Sequence, residues 1–367
     1  MRRVRLKEIG TFYSGLSGKS KSDFSEGNAL LVTYRNIFNN PVLNPAIKDT
    51  VVVGKDEKQN EVLWGDILIT GSSETPADAG MSSVVLFNPQ EKMYLNSFCF
   101  GFRLNDMNEA LPSYIGHLLR STSIRAAISK TAFGVTRFNV NRMRFAEIEI
   151  PLPPLNIQKE IVSILDSFTS LIDKMKQEVE MRKKQMEYYL NILICKDNVA
   201  VRLFGDIGVV QRGKRVVRKE LALQGCIPVF QNSLTPLGYY QYSNIPANNT
   251  FIISAGTAGE IGFSAKPFWA ADDCLVISSV LCDSKYLYYF LKTQEQFLKS
   301  QIRGGAMKRL SRETIKKLEI PVPSLEKQRQ IASILDTFET YISKLEKMIE
   351  LRQKQYEYYR EKLLTFE

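Results

Sequence analysis

The sequence has few of the residues from which metal and redox sites are usually built. It contains one histidine, His117, among 367 residues. A single histidine excludes multi-histidine metal sites and leaves only one possible base for a histidine-dependent catalytic triad. The five cysteines form no CxxC pair and are odd in number: Cys99, Cys195, Cys226, Cys274 and Cys282. This pattern argues against a disulfide framework and predicts a reducing environment.

Long apolar runs are also absent. No run reaches the ~18–20 residues that a membrane span needs, and the first ten residues, MRRVRLKEIG, lack the apolar core of a signal peptide. Together with the cysteine pattern, these absences predict a cytoplasmic protein without a membrane segment. At roughly 150 residues per domain, the length of the chain predicts two domains.

What the sequence does contain is an internal repeat. Residues 150–189 and 320–359 align without a gap at an offset of 170, with 20 identities in 40 positions. Each copy begins with a proline-rich segment, IPLPPL or IPVPSL, and continues without proline or glycine to its end. A globular segment precedes each copy, and the two globular segments match each other only weakly. The repeat therefore predicts the order globular segment, helix, globular segment, helix.

Apolar residues recur in both copies at alternating spacings of four and three. Their mean period of about 3.5 residues is that of a left-handed coiled coil. The alternative is a pair of amphipathic helices that lie on separate cores. The predicted seam contains equivalent positions of the two copies: Ile161, Leu165, Phe168, Ile172 and Arg182, with Ile331, Leu335, Phe338, Ile342 and Arg352.

The arginine in each seam indicates how the helices run. In a parallel, in-register pair Arg182 would face Arg352 in a partly dry seam, and the two like charges would repel each other. In an antiparallel pair each arginine lies opposite the neighbourhood of Ile172 or Ile342 and can extend to the solvent at the rim. We therefore predict an antiparallel coiled coil that is about 58 Å long at ~1.5 Å per residue.

The net charge of +10 is confined to the globular segments. Basic side chains exceed acidic ones by three in residues 1–153 and by seven in residues 198–323, whereas residues 154–197 and 324–367 are each neutral. A coiled coil that itself bound DNA would need positive charge of its own. The charges therefore predict that the globular segments bind a polyanion and that the helices are spacers or protein-docking surfaces.

The globular segments show a mixed pattern of strands and helices. Apolar runs bounded by Gly, Asp or Asn, and two stretches of helical spacing, predict strands at 66–70, 83–87, 250–254 and 274–278 and helices over 111–130 and 284–302. The predicted fold is α+β, with two globular mixed α/β domains separated by two long helices. No catalytic motif accompanies these elements, since His117 lies on a predicted apolar helix and Asp272 and Asp273 lack a third metal ligand nearby.

Basic residues cluster at three places in the globular segments. A glycine-containing basic stretch follows each predicted helix, at 131–142 and 303–312, and a further basic run covers 212–219. Arginine and lysine at these positions suit contacts with phosphates or base edges, although a solvated loop has the same composition. The candidate DNA-binding residues are Arg120, Arg125, Arg137, Asn139, Arg142, Arg144, Arg212, Lys214, Arg215, Arg218, Lys219, Arg303, Lys308, Arg309 and Arg312.

The most specific motif of the chain is the duplicated block I-P-x-P-x-L-x-x-Q-x-x-I-x-S-I-L-D, at Ile150–Asp166 and Ile320–Asp336. With the segment Trp64-Gly-Asp-Ile-Leu-Ile-Thr70, it resembles the DNA specificity subunits of type I restriction–modification systems, over the whole chain. The resemblance implies two target-recognition domains, 1–153 and 197–323, and two conserved spacer helices, 154–196 and 324–367.

The resemblance also implies a function without catalysis in this chain. Each domain would recognise one half of an asymmetric bipartite site in double-stranded DNA, and the helical spacer would set the half-site separation. The spacer would recruit two modification (methyltransferase) subunits and, through them, restriction subunits. S-adenosylmethionine, ATP and Mg would be bound by these partner subunits.

Two other functions stay open at this point. A structural coiled-coil adaptor with protein- or glycan-binding end domains would have the same helices, and an enzyme with an unrecognised site is the third possibility. Selection from a random duplex library separates them, because a split motif indicates a specificity subunit, whereas salt-insensitive or absent binding indicates an adaptor.

Overall fold

The computed structural model describes residues 2–194, 199–302 and 309–366. The chain divides into two compact units: unit 1 comprises Met1–Lys174 and Ile349–Glu367, and unit 2 comprises Met175–Met348. Both units contain helices and strands, which confirms the mixed composition predicted for the globular segments. Across the described ranges, no helix has the length and apolar character that crossing a membrane requires.

Unit 1 consists mainly of small antiparallel sheets. Its described strands are β1 (Arg2–Arg5), β2 (Gly10–Ser14), β3 (Ala29–Val32), β4 (Thr50–Val51), β5 (Ile67–Thr70), β6 (Ser72–Ser73), β7 (Ser82–Val84), β8 (Met93–Leu95), β9 (Cys99–Leu104), β10 (Ala132–Phe133), β11 (Phe138–Val140) and β12 (Glu149–Leu152). The first helices of the chain are α1 (Leu6–Ile9), α2 (Tyr34–Asn39), α3 (Pro112–Leu119), α4 (Thr122–Ser129), α5 (Arg142–Ala146) and α6 (Leu155–Ile194), with a 3₁₀ turn at Lys21–Phe24. The strands form the sheets β2-β9-β5-β7, β4-β3-β8, β10-β11-β6 and β1-β12.

Unit 2 has the same kinds of element. Its described strands are β13 (Val201–Leu203), β14 (Gly208–Arg212), β15 (Ile227–Phe230), β16 (Gly238–Tyr240), β17 (Asn249–Ile253), β18 (Ile261–Ser264), β19 (Trp269–Ala270), β20 (Cys274–Ser279) and β21 (Glu319–Pro321). The helices that begin in this unit are α7 (Phe204–Ile207), α8 (Ser284–Thr293), α9 (Glu295–Ser300), α10 (Arg312–Lys316) and α11 (Leu325–Leu364), with a 3₁₀ turn at Arg218–Glu220. The sheets are β14-β20-β17-β18, β16-β15-β19 and β13-β21.

Three sheets recur in both units with one topology, although the globular sequences match only weakly. The sheet β10-β11-β6 is described in unit 1 alone. The sheet β2-β9-β5-β7 corresponds strand for strand to β14-β20-β17-β18. The three-stranded sheets β4-β3-β8 and β16-β15-β19 each contain one parallel pair, and β1-β12 and β13-β21 each join the start of a globular segment to its last strand. The internal repeat therefore includes the globular segments as well as the helices.

The main core of each unit lies between its four-stranded sheet and the helices that follow the sheet. In unit 1, Phe100 and Phe102 of β9 are fully buried with Tyr114 of α3. In unit 2, Ile277 of β20 is buried with Tyr286 of α8. The same clusters contain the first buried residues of α6 in unit 1 and of α11 in unit 2, so each globular part packs on the start of a long helix.

The two long helices, α6 and α11, begin just after the proline-rich segments, as predicted. The aliphatic residues of the predicted seam are buried: Ile161, Leu165, Ile172, Ile331, Leu335 and Ile342. In unit 1 the ring of Phe168 stacks on that of Tyr359, with ring centroids 5.4 Å apart. In unit 2 the corresponding Phe338 stacks on Tyr189, at 5.6 Å.

Contacts of the helices within unit 2 give their relative direction. Tyr189 stacks on Phe338, whereas Lys183, six residues earlier, forms an ion pair of 2.9 Å with Glu346. The two segments therefore run in opposite directions in this unit. The Arg182 guanidinium lies 5.5 Å from the ring of Tyr341, next to Ile342, as the antiparallel arrangement predicts. In unit 1, Arg352 donates a hydrogen bond of 2.7 Å to Gln355 on its own helix.

Three predicted elements differ from the structure. The helix predicted over 111–130 is divided into α3 and α4, because Ser121 is extended and its hydroxyl donates to the carbonyl of Leu118. The helix predicted over 284–302 is divided at Gln294, whose ψ angle of 0° ends α8 before α9 begins. The strand predicted at 83–87 is displaced to β7, which ends at Val84.

Candidate nucleic-acid interface

A buried glutamine joins each long helix to the globular part that precedes it. Gln158 in the first turn of α6 is 0% exposed; its Oε1 accepts from the Leu111 N–H (2.9 Å), and its Nε2 donates to the carbonyls of Glu109 (2.9 Å) and Pro153 (2.8 Å). Because all three partners are main-chain groups around a fully buried side chain, the amide satisfies backbone groups that would otherwise lose a hydrogen bond on burial.

The same arrangement recurs in unit 2. Gln328, also 0% exposed, accepts from the Asp283 N–H at 2.7 Å. Its Nε2 donates to the carbonyls of Leu281 (2.9 Å) and Pro323 (2.8 Å). The glutamine of the duplicated motif therefore has one role in both copies, which the sequence alone did not reveal. We call each set of contacts between the globular part and the start of its long helix a helix joint.

A tyrosine and an aspartate complete each helix joint. The hydroxyl of Tyr114 donates to the carbonyl of Pro151 at 3.0 Å, and that of Tyr286 donates to the carbonyl of Pro321 at 2.9 Å. One turn after each tyrosine, in α3 and in α8, another side chain contacts the aspartate that ends the duplicated motif. These aspartate contacts are His117 Nε2 to Asp166 (2.8 Å) and Tyr289 Oη to Asp336 (2.6 Å).

The single histidine is therefore part of a helix joint. Its Nδ1 lies 3.1 Å from the hydroxyl of Tyr356, a residue in the part of α11 that belongs to unit 1. In unit 2, Lys285 also contacts the aspartate of the helix joint. Its Nζ lies 3.0 Å from Asp336 and 4.1 Å from the ring centroid of Phe263. These contacts agree with the interpretation of His117 as a packed helix residue.

An ion pair between a buried aspartate and a partly exposed arginine fixes the segment that begins with Trp64. The Asp66 carboxylate is buried and accepts two hydrogen bonds from Arg103 (2.8 and 2.7 Å) and one from the Tyr13 hydroxyl (2.7 Å). It also accepts from the Leu63 N–H at 2.8 Å. Burial, reinforced by Asp66, raises the pKa of Tyr13 well above its usual range, so that the phenol remains a donor. Asp66 thereby ties β2, β5 and β9 together.

Four predicted DNA-binding residues of unit 1 are exposed along one segment of the chain: Arg137, Asn139, Arg142 and Arg144. The Arg137 Nε donates to Ser72 Oγ (3.0 Å), and its guanidinium lies 5.3 Å from the ring of Phe98. Arg142 donates to Ser14 Oγ at 2.8 Å. These contacts orient the guanidinium groups and leave donors for a ligand, since an arginine carries five N–H groups.

Two other arginines of unit 1 have internal partners. The Arg120 Nε donates to the carbonyl of Ser82 at 2.8 Å, and burial lowers the pKa of Arg120 to about 10. The Arg125 guanidinium donates to the carbonyls of Ala77, Ala79 and Gly80 at 2.6–2.7 Å. Arg120 thereby holds the end of α3 against β7, and Arg125 holds α4 against the segment that precedes β7. The structure therefore gives no support to their prediction as DNA-binding residues, and we leave them out of the interface.

The basic run of unit 2 is exposed as well, at Arg212, Lys214, Arg215, Arg218 and Lys219. Within the described part of unit 2, Arg212 donates to the carbonyl of Asp272 (2.6 Å), and Arg309 forms an ion pair with Asp273 (3.0 Å). Arg312 is exposed at the start of α10. The predicted residues Arg303 and Lys308 lie outside the described residues. Asp272 and Asp273 occupy a turn.

Sequence reasoning missed an aromatic cluster beside this basic run. The indole N–H of Trp269 donates to the carbonyl of Lys214 at 2.8 Å, which fixes the run against β19. The ring of Tyr240 meets those of Trp269 and Tyr242, with centroids 5.0 and 5.8 Å apart. Aromatic side chains next to exposed cations can pack on nucleotide sugars and bases. Trp269 is far in sequence from Tyr240, from Tyr242 and from the basic run, so no local signal linked them.

Among the described residues, no group of three His, Cys, Asp or Glu side chains could hold a metal ion. The cysteines with described positions are free, with Cys99, Cys274 and Cys282 buried and Cys226 exposed. Burial raises the pKa of Cys99 to about 12, so this thiol stays protonated and is a poor nucleophile. Cys195 lies outside the described residues.

Comparison with known proteins identifies the family. The model of the type I restriction modification DNA specificity domain matches residues 1–181 and 196–353. A protein of Haemophilus influenzae assigned as a type I restriction enzyme specificity subunit is 33% identical over 264 residues, which are 64% of this chain and 68% of that protein. The specificity subunit of the Escherichia coli type I restriction enzymes EcoR124I and EcoR124II is 29% identical over 261 residues, 60% of this chain and 64% of that protein.

A solved structure shares the fold. The type I restriction–modification S subunit from M. genitalium superposes with a TM-score of 0.67 at 16% sequence identity, covering 100% of this chain and 96% of that one. Because the family model matches both halves of the chain, this protein belongs to the type I restriction–modification DNA specificity subunits.

Proposed function

We propose that each globular domain of this specificity subunit recognises one half of an asymmetric bipartite site in double-stranded DNA. The domains would be residues 1–153 and 197–323. One observation carries this proposal. Three sheets recur in both units, but the exposed basic residues differ, at 137–144 in unit 1 and at 212–219 in unit 2. Two domains of equal architecture but different surface residues would bind unlike sequences.

The two long helices, over 154–196 and 324–367, would form the antiparallel coiled-coil spacer that sets the half-site separation. The antiparallel contacts in unit 2 and the buried seam residues in both units support this role. The helix joints support it further, since a spacer can fix a distance only when each domain is held firmly on its helix.

The same helices would recruit two modification (methyltransferase) subunits and, through them, restriction subunits. Beside the seam, each helix carries a second set of apolar residues that stay exposed at heptad spacing. In unit 2 these are Ile334, Tyr341 and Met348, and in unit 1 they include Ile164 and Leu171. Such exposed stripes are typical of surfaces that bind a partner helix. The chain itself would be non-catalytic and would act in the cytoplasm, with S-adenosylmethionine, ATP and Mg bound by the partners.

A domain exchange tests the assignment. Residues 1–150 are replaced by the corresponding segment of another family member, and the site bound by the assembled enzyme is selected from random duplexes. We expect the half-site recognised by the first domain to change. The other half-site, and the number of base pairs between the two, should stay as in the wild type. Loss of both half-sites would contradict independent recognition by the two domains. The reciprocal exchange of the second globular segment is the control, and it should change only the other half-site.

Neutralising the basic run of unit 2 should reduce the salt dependence of DNA binding. Replacing Lys214, Arg215, Arg218 and Lys219 by glutamine should lower the slope of log affinity against log salt by about 0.9 for each phosphate that the variant no longer binds. Fluorescence anisotropy with the selected duplex, at several salt concentrations, measures this slope. Glutamine at the exposed helix residues Lys184 and Lys347 is the matched control. An unchanged slope in the unit 2 variant would remove the run from the interface.

A further inference from the structure

Two large apolar side chains project from a rigid hairpin in unit 1. The hairpin consists of β10 and β11, and we call Phe133 and Val135 its apolar tip. Phe133 is 57% exposed and Val135 is 90% exposed. Exposing such side chains costs roughly 25 cal/mol for each Å² of apolar surface left in water, so a single exposed residue is common but a pair at a hairpin tip indicates a bound partner.

The hairpin is held in place rather than loosely attached. β11 pairs with β10 on one side and with β6 on the other, so that it is the central strand of a three-stranded sheet. Gly134 has a φ angle of +133°, and a Cβ atom at this position would lie 2.0 Å from the carbonyl oxygen of Arg137. Only glycine fits this turn. The hydrogen bond from Arg137 to Ser72 then ties the turn to β6.

The charge around the apolar tip indicates which partner it takes. Residues 131–146 contain three arginines, Arg137, Arg142 and Arg144, and no acidic residue. All three are exposed. Glu74 and Asp78 line a cavity together with Thr136 and Arg137, and the three arginines outnumber these two carboxylates. A ligand for this surface would offer negative charge beside apolar patches, and duplex DNA does so where phosphates flank the C5-methyl groups of thymine in the major groove. The major groove is wide enough to admit a two-stranded β-ribbon.

We propose that the β10–β11 hairpin enters the major groove of the half-site recognised by the first domain, where Phe133 and Val135 pack against thymine C5-methyl groups. This inference rests on the proposed function, because it assumes that the first domain binds DNA. It makes the apolar tip a specificity determinant, with the three arginines bound to phosphates or guanine edges on either side.

Replacing thymidine by deoxyuridine tests this inference, because it removes only the C5-methyl group. The full-length protein, assembled with its modification subunits, is titrated with the selected duplex carrying deoxyuridine in one half-site at a time. For the wild type we expect binding to weaken about fourfold for each contacted methyl, the fold-change that corresponds to about 0.8 kcal/mol. The Val135→Ala and Phe133→Ala variants should bind thymidine and deoxyuridine duplexes more nearly alike.

The controls separate this inference from the proposed function. Thr136→Ala, at an exposed neighbour in the same turn, should keep the full thymidine preference, and deoxyuridine in the other half-site should affect all proteins equally. The inference fails if the wild type binds both duplexes equally, or if the tip variants keep the full preference. It also fails if they weaken only assembly with the modification subunits, which would indicate a protein partner. If no bipartite motif is selected at all, it is the proposed function that fails.

Discussion

Replacing Gln158 by leucine is expected to destabilise the packing of α6 on its globular domain by about 3 kcal/mol, because one buried N–H and two buried carbonyls would each be deprived of the amide that bonds to them. Leucine is close to glutamine in size, so the loss would come from unmet hydrogen bonds rather than from a cavity. Urea unfolding of the full-length protein gives the change in stability. Hydrogen exchange at the Leu111 amide reports the local opening.

Gln328→Leu should behave in the same way in unit 2, with faster exchange at the Asp283 amide. Gln177→Leu is the matched control, since Gln177 is an exposed residue of α6 and should change stability by less than about 0.5 kcal/mol. If Gln158→Leu were no more costly than Gln177→Leu, the helix joint would not depend on this amide.

The second large effect is expected at Asp66. Asp66→Asn should lower the free energy of unfolding by about 3 kcal/mol, because it removes the buried charge that holds Arg103 and Tyr13. This value is at the lower end for a buried pair, since the Arg103 side chain is partly exposed. Urea unfolding again measures the effect.

A double variant sharpens the test at Asp66. Adding Arg103→Met to Asp66→Asn removes the unpaired charge and should recover part of the lost stability. Asp56→Asn, at an exposed aspartate of the same unit, should have little effect. Strict additivity of the two single changes would show that Asp66 and Arg103 do not stabilise each other.

The long helices were predictable because the sequence features that define them lie close together in the chain and occur in both copies of the repeat. The prolines before Leu155 and Leu325, and the seam residues such as Leu165 and Leu335, define both helices within a few residues. The shared topology of the globular segments was not predictable. A sheet order depends on pairing between strands far apart in sequence, as in β5 with β9, and the two copies preserve that pairing with different side chains.

The candidate site was predictable only in part, because the contacts that decide whether an arginine is free to bind DNA also join residues far apart in sequence. Composition indicated the exposed basic residues 137–144 and 212–219. It could not distinguish them from Arg120 and Arg125, whose partners are main-chain carbonyls distant in sequence. One available signal was overlooked. Gln158 and Gln328 occupy the same position of the duplicated motif, three residues before the seam residues Ile161 and Ile331, and a polar residue repeated at such a place indicates a buried hydrogen-bonding role.

The hydrogen-bond partners of the glutamines and tyrosines in the helix joints affect how the sequence of such a protein can evolve. Gln158 and Gln328 bond to backbone atoms, and so do the hydroxyls of Tyr114 and Tyr286. Every amino acid offers a backbone carbonyl, and every one except proline offers a backbone N–H, so these bonds place few demands on side-chain identity in the adjoining domain. Mutations can therefore accumulate across a recognition surface without loosening its anchorage, which lets new binding preferences arise on an inherited scaffold.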